Sequence, residues 1–365
     1  MKIAVIDHLG SKIGLEDYHY GYMNELSRLK YTVYYICPSS SDTELNNRFV
    51  TLDKFGNLWQ KTDLFSRLLL LLKGYLSSFQ FIRKNGIEVV HVHLYGNSNM
   101  LVFLLIPLKM LTRSRIVGTI HDVSSFKTTF IPRINLTRKF LDRFIFHNNY
   151  SLNCFQSMYP GESSFSIVPQ GAYGPSQGSF SLTNLEPLEI LFFGQIKTVK
   201  GLEVLLRAAE LLKKENRSIH LVIAGKPWDY TVENIEHLVH EHGLLDVTTL
   251  SLKFIEESVM DSLFSSAHVI VLPYKEIFNS AVLKLAASKK RAVMVSHVPV
   301  FTEVIRNNIN GMTFRMDDHV DLAAKLSALT KKDLERYAKK LYDEMQQNYS
   351  WGNIVNKLVS AYQKA

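Results

Sequence analysis

The chain has 365 residues, of which 46% are hydrophobic and 21% charged. At roughly 150 residues per domain that is two globular domains rather than a single small module, a disordered chain or a fibre. Forty-two Lys plus Arg stand against 34 Asp plus Glu, a net charge of +8 that favours anionic partners. The basic residues are dispersed and form no nucleic-acid-binding signature, so no nucleic-acid partner is expected. Met100 to Leu108, an apolar stretch of nine residues, is about half of the roughly 18 needed to suspect a membrane span. Met1-Lys2 runs directly into the strand-like Ile3-Ala4-Val5-Ile6, without the pattern of a cleavable secretory signal. Two cysteines, Cys37 and Cys154, are too few for a disulfide scaffold, and a reducing, cytoplasmic setting is expected.

Short β-branched runs alternate with amphipathic stretches throughout. In the first half the predicted strands are Lys2 to Asp7, Thr32 to Cys37, Glu88 to His93, Arg115 to Asp122, Phe144 to Asn148 and Ser166 to Val168. In the second half they are Leu188 to Phe193, His220 to Ala224, Thr248 to Phe254, His268 to Pro273, Ala292 to Ser296 and Met312 to Arg315. Several are apolar throughout, as parallel strands covered on both faces require. Between the halves, Pro169 to Pro187 is rich in Gly, Pro and Ser and reads as a connection. The expected fold class is therefore α/β, with two Rossmann-like parallel-sheet domains facing a central cleft, where such sheets place ligands. The expected divisions are 1–175, a linker at 176–187, 188–348, and a terminal helix in 349–365.

Four places carry candidate chemistry. The turn after the first strand contains Gly14 and leads to Glu16 and Asp17. It can offer backbone donors to an anion, although a plain structural turn explains it equally. His121-Asp122 ends an apolar strand, at a sheet's carboxyl edge, where a ligand contact or a helix cap would serve. Gly194 to Gly201 follows the first strand of the second half and carries Gln195, Lys197 and Lys200 ahead of a helix, an arrangement suited to a diphosphate. Pro273 to Ala281 carries Glu276 for sugar hydroxyls, and Asn279 or Ser280 to cap the next helix. His91 and His93 share one strand face without an acidic or cysteine companion, so no metal site is read there.

In this order the motifs resemble the GT-B nucleotide-sugar glycosyltransferases, the group 1 or family 4-like bacterial enzymes. Thr119-Ile120-His121 is similar to a Thr-x-His whose histidine lies beside the donor sugar, and Gly194 to Gly201 to a Gly-Arg-x-x-x-x-Lys-Gly diphosphate turn, with Gln195 in the arginine position. Val168-Pro169-Gln170-Gly171 resembles the family's Val-Pro-Asn-Gly, and Ile223-Ala224-Gly225 its Ile-Ala-Gly. Tyr349-Ser350-Trp351 resembles the start of the helix that crosses back to the first domain. Glu276 fits the first of two spaced glutamates, but the eighth residue on is Lys284, a cation about two helical turns into the same element. Lys289-Lys290-Arg291 replaces a turn of small residues and proline.

The resemblance implies a metal-independent hexosyltransferase without cofactor, using a UDP- or GDP-sugar. His121, Glu276 and Asp122 would be catalytic. Gly14, Gln195, Lys200, Phe254, Asn279, Ser280 and Lys284 would bind the donor, and Glu16 and Asp17 would serve the acceptor side. Leucine-rich Leu64 to Phe81 and basic Arg133 to Arg143 suggest an interfacial surface for a lipid-linked saccharide on the inner face of the plasma membrane. A core helix beside a solvated one accounts for the same pattern. The competing functions are a catalytically silent nucleotide-sugar-binding scaffold and a nucleotide-sugar epimerase; a dinucleotide oxidoreductase lacks its glycine fingerprint in both halves.

Overall fold

The computed structural model describes residues 1–9, 16–38, 48–58, 60–61, 63–95, 101–123, 137–161, 164–173, 179–182 and 184–365, with the backbone alone for Glu16, Asp17 and Thr137. Two compact units divide the chain. Unit 1 comprises Met1–Gly171 and Tyr349–Ala365, and unit 2 comprises Ala172–Asn348.

Unit 1 is built from strands β1 (Lys2–Ile6), β2 (Thr32–Cys37), β3 (Val50–Asp53), β4 (Val89–Tyr95), β5 (Arg115–Asp122), β6 (Arg143–Phe146) and β7 (Phe165–Ile167). Its helices are α1 (Glu16–Arg28), α2 (Leu64–Asn85), α3 (Val102–Leu111), α4 (Asn149–Met158) and, from the far end of the chain, α12 (Trp351–Gln363). All pairings are parallel, in the order β3-β2-β1-β4-β5-β6-β7. Every residue of β4 but the last is buried, although two of them are histidines. Such a strand is covered on both faces, as parallel sheets demand. The short edge strand β3 went unpredicted because it is only 4 residues long, too short for its alternation to stand out, and it is exposed or half-buried throughout.

Unit 2 repeats the grammar with β8 (Leu188–Phe193), β9 (Ile219–Ala224), β10 (Thr248–Ser251), β11 (Val269–Leu272), β12 (Ala292–Ser296) and β13 (Met312–Phe314). They are all parallel, in the order β10-β9-β8-β11-β12-β13. Helices α5 (Leu202–Lys214), α6 (Val232–Glu241), α7 (Glu257–Ser266), α8 (Ala281–Ser288), α9 (Pro299–Thr302), α10 (His319–Ser327) and α11 (Lys331–Asn348) surround that sheet. Helix α5 buries Leu202, Leu205, Leu206, Ala209 and Leu212, the stripe its sequence spacing predicts. In both sheets the chain reverses direction across the sheet between two adjacent strands, β1 and β4 in unit 1 and β8 and β11 in unit 2. At such switch points the loops after the two strands diverge and leave room for a ligand at their carboxyl ends.

Helix α12 closes the core of unit 1: Ile354, Val355, Leu358, Ala361 and Tyr362 join Tyr22, Met23 and Leu26 of α1 in one apolar cluster. Where α1 passes Trp351 only glycine fits, since a Cβ on Gly21 would lie 2.1 Å from the indole. Among the described residues no helix is long and apolar enough to cross a membrane.

Candidate active site

In unit 2 the loops after β8 and β11, the two strands of the switch point, are packed together. The Lys275 N–H donates to the Val199 carbonyl at 2.8 Å. Gly201 ends the first loop in the left-handed region at φ 66, and a Cβ there would meet the Pro273 oxygen at 2.0 Å. Gly225, at the end of β9 with φ 146, approaches Gly194 so closely that a Cβ would sit 1.9 Å from its carbonyl. The glycines thus serve to bring three strand ends into contact.

Lys200 lies inside this junction. Its Nζ sits 5.4 Å over the Tyr274 ring centroid, and a Cβ built on Gly194 would be 3.2 Å from both that nitrogen and Val282 of α8. Burial, with the repulsion of Lys197 added, lowers the Lys200 ammonium to about 8. Lys197 itself lies 5.0 Å over the Trp228 ring. Gln195 is half-buried beside Gly194. Glu276 is exposed on the second loop. Asn279 Oδ1 accepts from the Ser280 N–H at 3.0 Å, and Ser280 Oγ accepts from the Leu283 N–H at 3.2 Å. Ser280 is therefore the cap of α8, and Asn279 orders the turn before it.

Because α8 starts only at Ala281, Lys284 lies about one turn into the helix rather than two. It is 5% exposed, not a surface residue, and burial holds its ammonium well below the ordinary range. Arg291, from the Lys289-Lys290-Arg291 turn, is also structural: its guanidinium donates to the carbonyls of Phe264, Ser265 and Ser179. Strand β10 stops at Ser251, so Phe254 lies three residues beyond it and is 73% exposed.

In unit 1 the end of β5 carries His121, whose Nε2 is 2.9 Å from His93 Nδ1 and whose ring stacks on Tyr95 at 4.3 Å. Desolvation and neighbouring histidines hold its imidazole well below the usual value, so it is neutral. A neutral ring there can donate or accept a hydrogen bond but carries no charge. Asp122 is half-buried next to it. Thr119 faces inward, with Oγ1 2.7 Å from His91 Nε2, while His91 Nδ1 lies 2.8 Å from the hydroxyl of Tyr362. Gly14 lies outside the described residues; Glu16 and Asp17 open α1.

The sequence reading missed the aromatic and histidine cluster around these residues. Tyr18 meets His93, His121 and His147 edge-on at 5.9, 5.7 and 5.4 Å, and His19 lies 4.4 Å from His93. Its local traces are Tyr18-His19-Tyr20-Gly21-Tyr22, where Tyr18 and Tyr22 share a helix face, and His91 with His93 on one face of a strand. The basic segment 133–143 is not an interfacial helix over its described part. It holds a single turn at Thr137–Phe140 and then enters β6, while Arg133 lies outside the described residues. Arg143 donates to the Phe165 and Lys364 carbonyls, both at 2.8 Å, and Arg138 covers the Tyr159 ring at 4.5 Å. A cavity of about 430 Å³, lined by Arg83, Glu88, Arg113 and Arg115, lies where β4 and β5 begin, the edge opposite these loops.

Residues 179–349 match the family described as glycosyl transferases group 1. Over 219 residues the chain is 25% identical to D-inositol 3-phosphate glycosyltransferase of Mycolicibacterium gilvum, covering 57% of this chain and 46% of that protein. Over 181 residues it is 24% identical to GDP-mannose:cellobiosyl-diphosphopolyprenol alpha-mannosyltransferase of Xanthomonas oryzae, covering 48% and 47%. The chain spans about half the length of the curated relatives it matches. Among solved structures it is similar to Anabaena HepE in complex with UDP and glucose, with a TM-score of 0.75 at 14% identity and all of both chains covered. Residues 179–349 thus carry the match to glycosyl transferases group 1, and the chain as a whole shares the two-sheet fold of these solved structures.

Proposed function

We propose that the protein transfers a hexosyl group from a UDP- or GDP-sugar to a lipid-linked saccharide during assembly of a bacterial surface polysaccharide. The observation that carries the reading is the junction of the Gly194–Gly201 and Pro273–Ser280 loops at the switch point of unit 2, with Lys200 seated in it. In the reaction the bond from anomeric carbon to phosphate oxygen breaks and one to an acceptor hydroxyl forms. The acceptor proton leaves to a base, and the nucleoside diphosphate leaves as an anion. Lys200 stabilises that anion, with Gln195 on the same loop; protein cations thereby do the neutralising, and no metal is required. Glu276 accepts from sugar hydroxyls, Asn279 and Ser280 shape the loop, and Phe254 and Lys284 complete the donor set. Within unit 1, His121 offers a hydrogen bond to a sugar hydroxyl, and Asp122, Glu16 or Asp17 supplies the acceptor-side carboxylate.

For the acceptor, support comes from two helices of unit 1 that pack on each other, α2 and α3. The first exposes Leu64 and Phe65, the second Phe103 and Met110, an apolar face suited to a membrane boundary on the cytoplasmic side. The Xanthomonas oryzae relative is by name a transferase to a diphosphopolyprenol-linked sugar. A second reading, a nucleotide-sugar-binding protein without transfer, is favoured by Lys284, buried where the resemblance has a carboxylate.

The test is a screen of UDP- and GDP-sugars for thermal stabilisation, then NMR of the products formed with polyprenyl-linked saccharides. A new glycosidic linkage supports transfer. Stabilisation with the donor left intact supports the silent reading, and conversion of the donor sugar without acceptor supports the epimerase.

A further inference from the structure

The histidine cluster of unit 1 contains more than the sugar-contacting role given to His121. From the geometry we infer that His19, His93 and His121 form a binding site for one zinc-like divalent transition-metal ion. The three rings come from α1, β4 and β5, and one nitrogen from each lies within 4.8 Å of the others. His93 Nδ1 and His121 Nε2 already face each other at 2.9 Å, a pair that only a shared proton can hold together. A tetrahedral ion with zinc–nitrogen bonds of about 2.0–2.1 Å needs its ligand nitrogens about 3.3 Å apart. Replacing the proton by the ion therefore opens this pair by a few tenths of an ångström and draws the third nitrogen in.

The surroundings are those that hold ligating imidazoles in place. His93 turns its other nitrogen to the Tyr22 hydroxyl at 2.9 Å. His19 Nδ1 has the Tyr35 hydroxyl at 3.2 Å and Asp7 Oδ2 at 3.5 Å. His93 and His19 can thus carry their protons on the side away from the ion, the arrangement in which outer oxygens fix ring orientation and raise ligand basicity. His19 Nε2 then faces inward, 3.2 Å from the Tyr95 hydroxyl, which offers a fourth oxygen. An all-imidazole set selects zinc, copper or nickel over magnesium or calcium, which require oxygen ligands. His91 is not a member, because Tyr362 and Thr119 occupy its two nitrogens. The site does not depend on the glycosyl-transfer reading, and an ion there would compete with the sugar for His121 rather than serve the reaction.

The experiment titrates the full chain, stripped with a chelator, with Co²⁺ and follows visible absorption. We expect one equivalent to give the intense bands of a tetrahedral ion, bleached by one equivalent of Zn²⁺. His19→Gln and His121→Gln should each weaken binding at least about tenfold, while His237→Gln, on an exposed helix of unit 2, leaves it unchanged. Circular dichroism checks the fold of each variant, and the half-buried His121 decides should His19→Gln unfold. A cobalt spectrum that stays that of the aquo ion overturns the proposal, as does wild-type affinity in His121→Gln.

Discussion

Lys284 is buried and Lys200 half-buried in the same unit, and desolvation opposes the charge of each. For Lys200 the sign of the pH effect follows. Its charged form, the one an anion needs, is lost as pH rises through about 8, and a bound diphosphate can only move that point upward. UDP affinity measured by calorimetry should be level up to pH 7 and decline at higher pH, by up to about tenfold per unit. Affinity level to pH 10 would remove Lys200 from the anion site. Without ligand the sign reverses: between about 8 and the ordinary lysine value of about 10.4, the unfolded chain binds the extra proton, so stability rises with pH. Lys200→Ala and Glu276→Ala should each lower transfer by about a hundredfold or more with the melting temperature preserved. Wild-type turnover by either variant refutes its assignment.

At the scale of the element, Ser280 gives the cleanest test. Its hydroxyl takes the Leu283 N–H, so Ser280→Ala should cost about 1 kcal/mol in urea unfolding and shift the start of α8, loosening the loop with Glu276 and Asn279. A loss of stability with unchanged donor affinity would separate the cap from the site. The long parallel strands were legible because both their faces are apolar; Thr32–Cys37, Arg115–Asp122, Leu188–Phe193 and Ala292–Ser296 have the predicted limits. The loops after β8 and β11 were legible because glycine, lysine and a capping serine are local signals. Lys284 was misread, since its depth depends on where Ser280 starts the helix. The histidine cluster was out of reach for another reason: the contacts that join its strands and helices, such as His93 with His121 and His91 with Tyr362, span 28 and 271 positions, and no window of sequence contains them. Helices α2 and α3 carry a further prediction. Leu64→Ser with Phe65→Ser should reduce sedimentation with anionic vesicles several-fold while urea stability is held, because both side chains are exposed. Equal sedimentation of variant and wild type would dissociate this face from the membrane.

For the molecule as a whole, the two units differ in how the chain supplies them. Unit 2 is one continuous stretch, whereas unit 1 takes its last helix from beyond unit 2. Leu358, 3% exposed, belongs to the core cluster with Tyr22 and Met23. Leu358→Ala should cost unit 1 about 2–5 kcal/mol, seen as an earlier melting step beside an unshifted one for unit 2. Coincident shifts of both steps would mean that the units unfold together. The borrowed helix also orders events at the ribosome. Residues 172–348 emerge as a complete folding unit, but the 171 residues made before them must wait, with the apolar face of α1 uncovered, until the final segment has been translated. The first-made half of this protein is the last to finish folding, and that delay is when a chaperone would be needed.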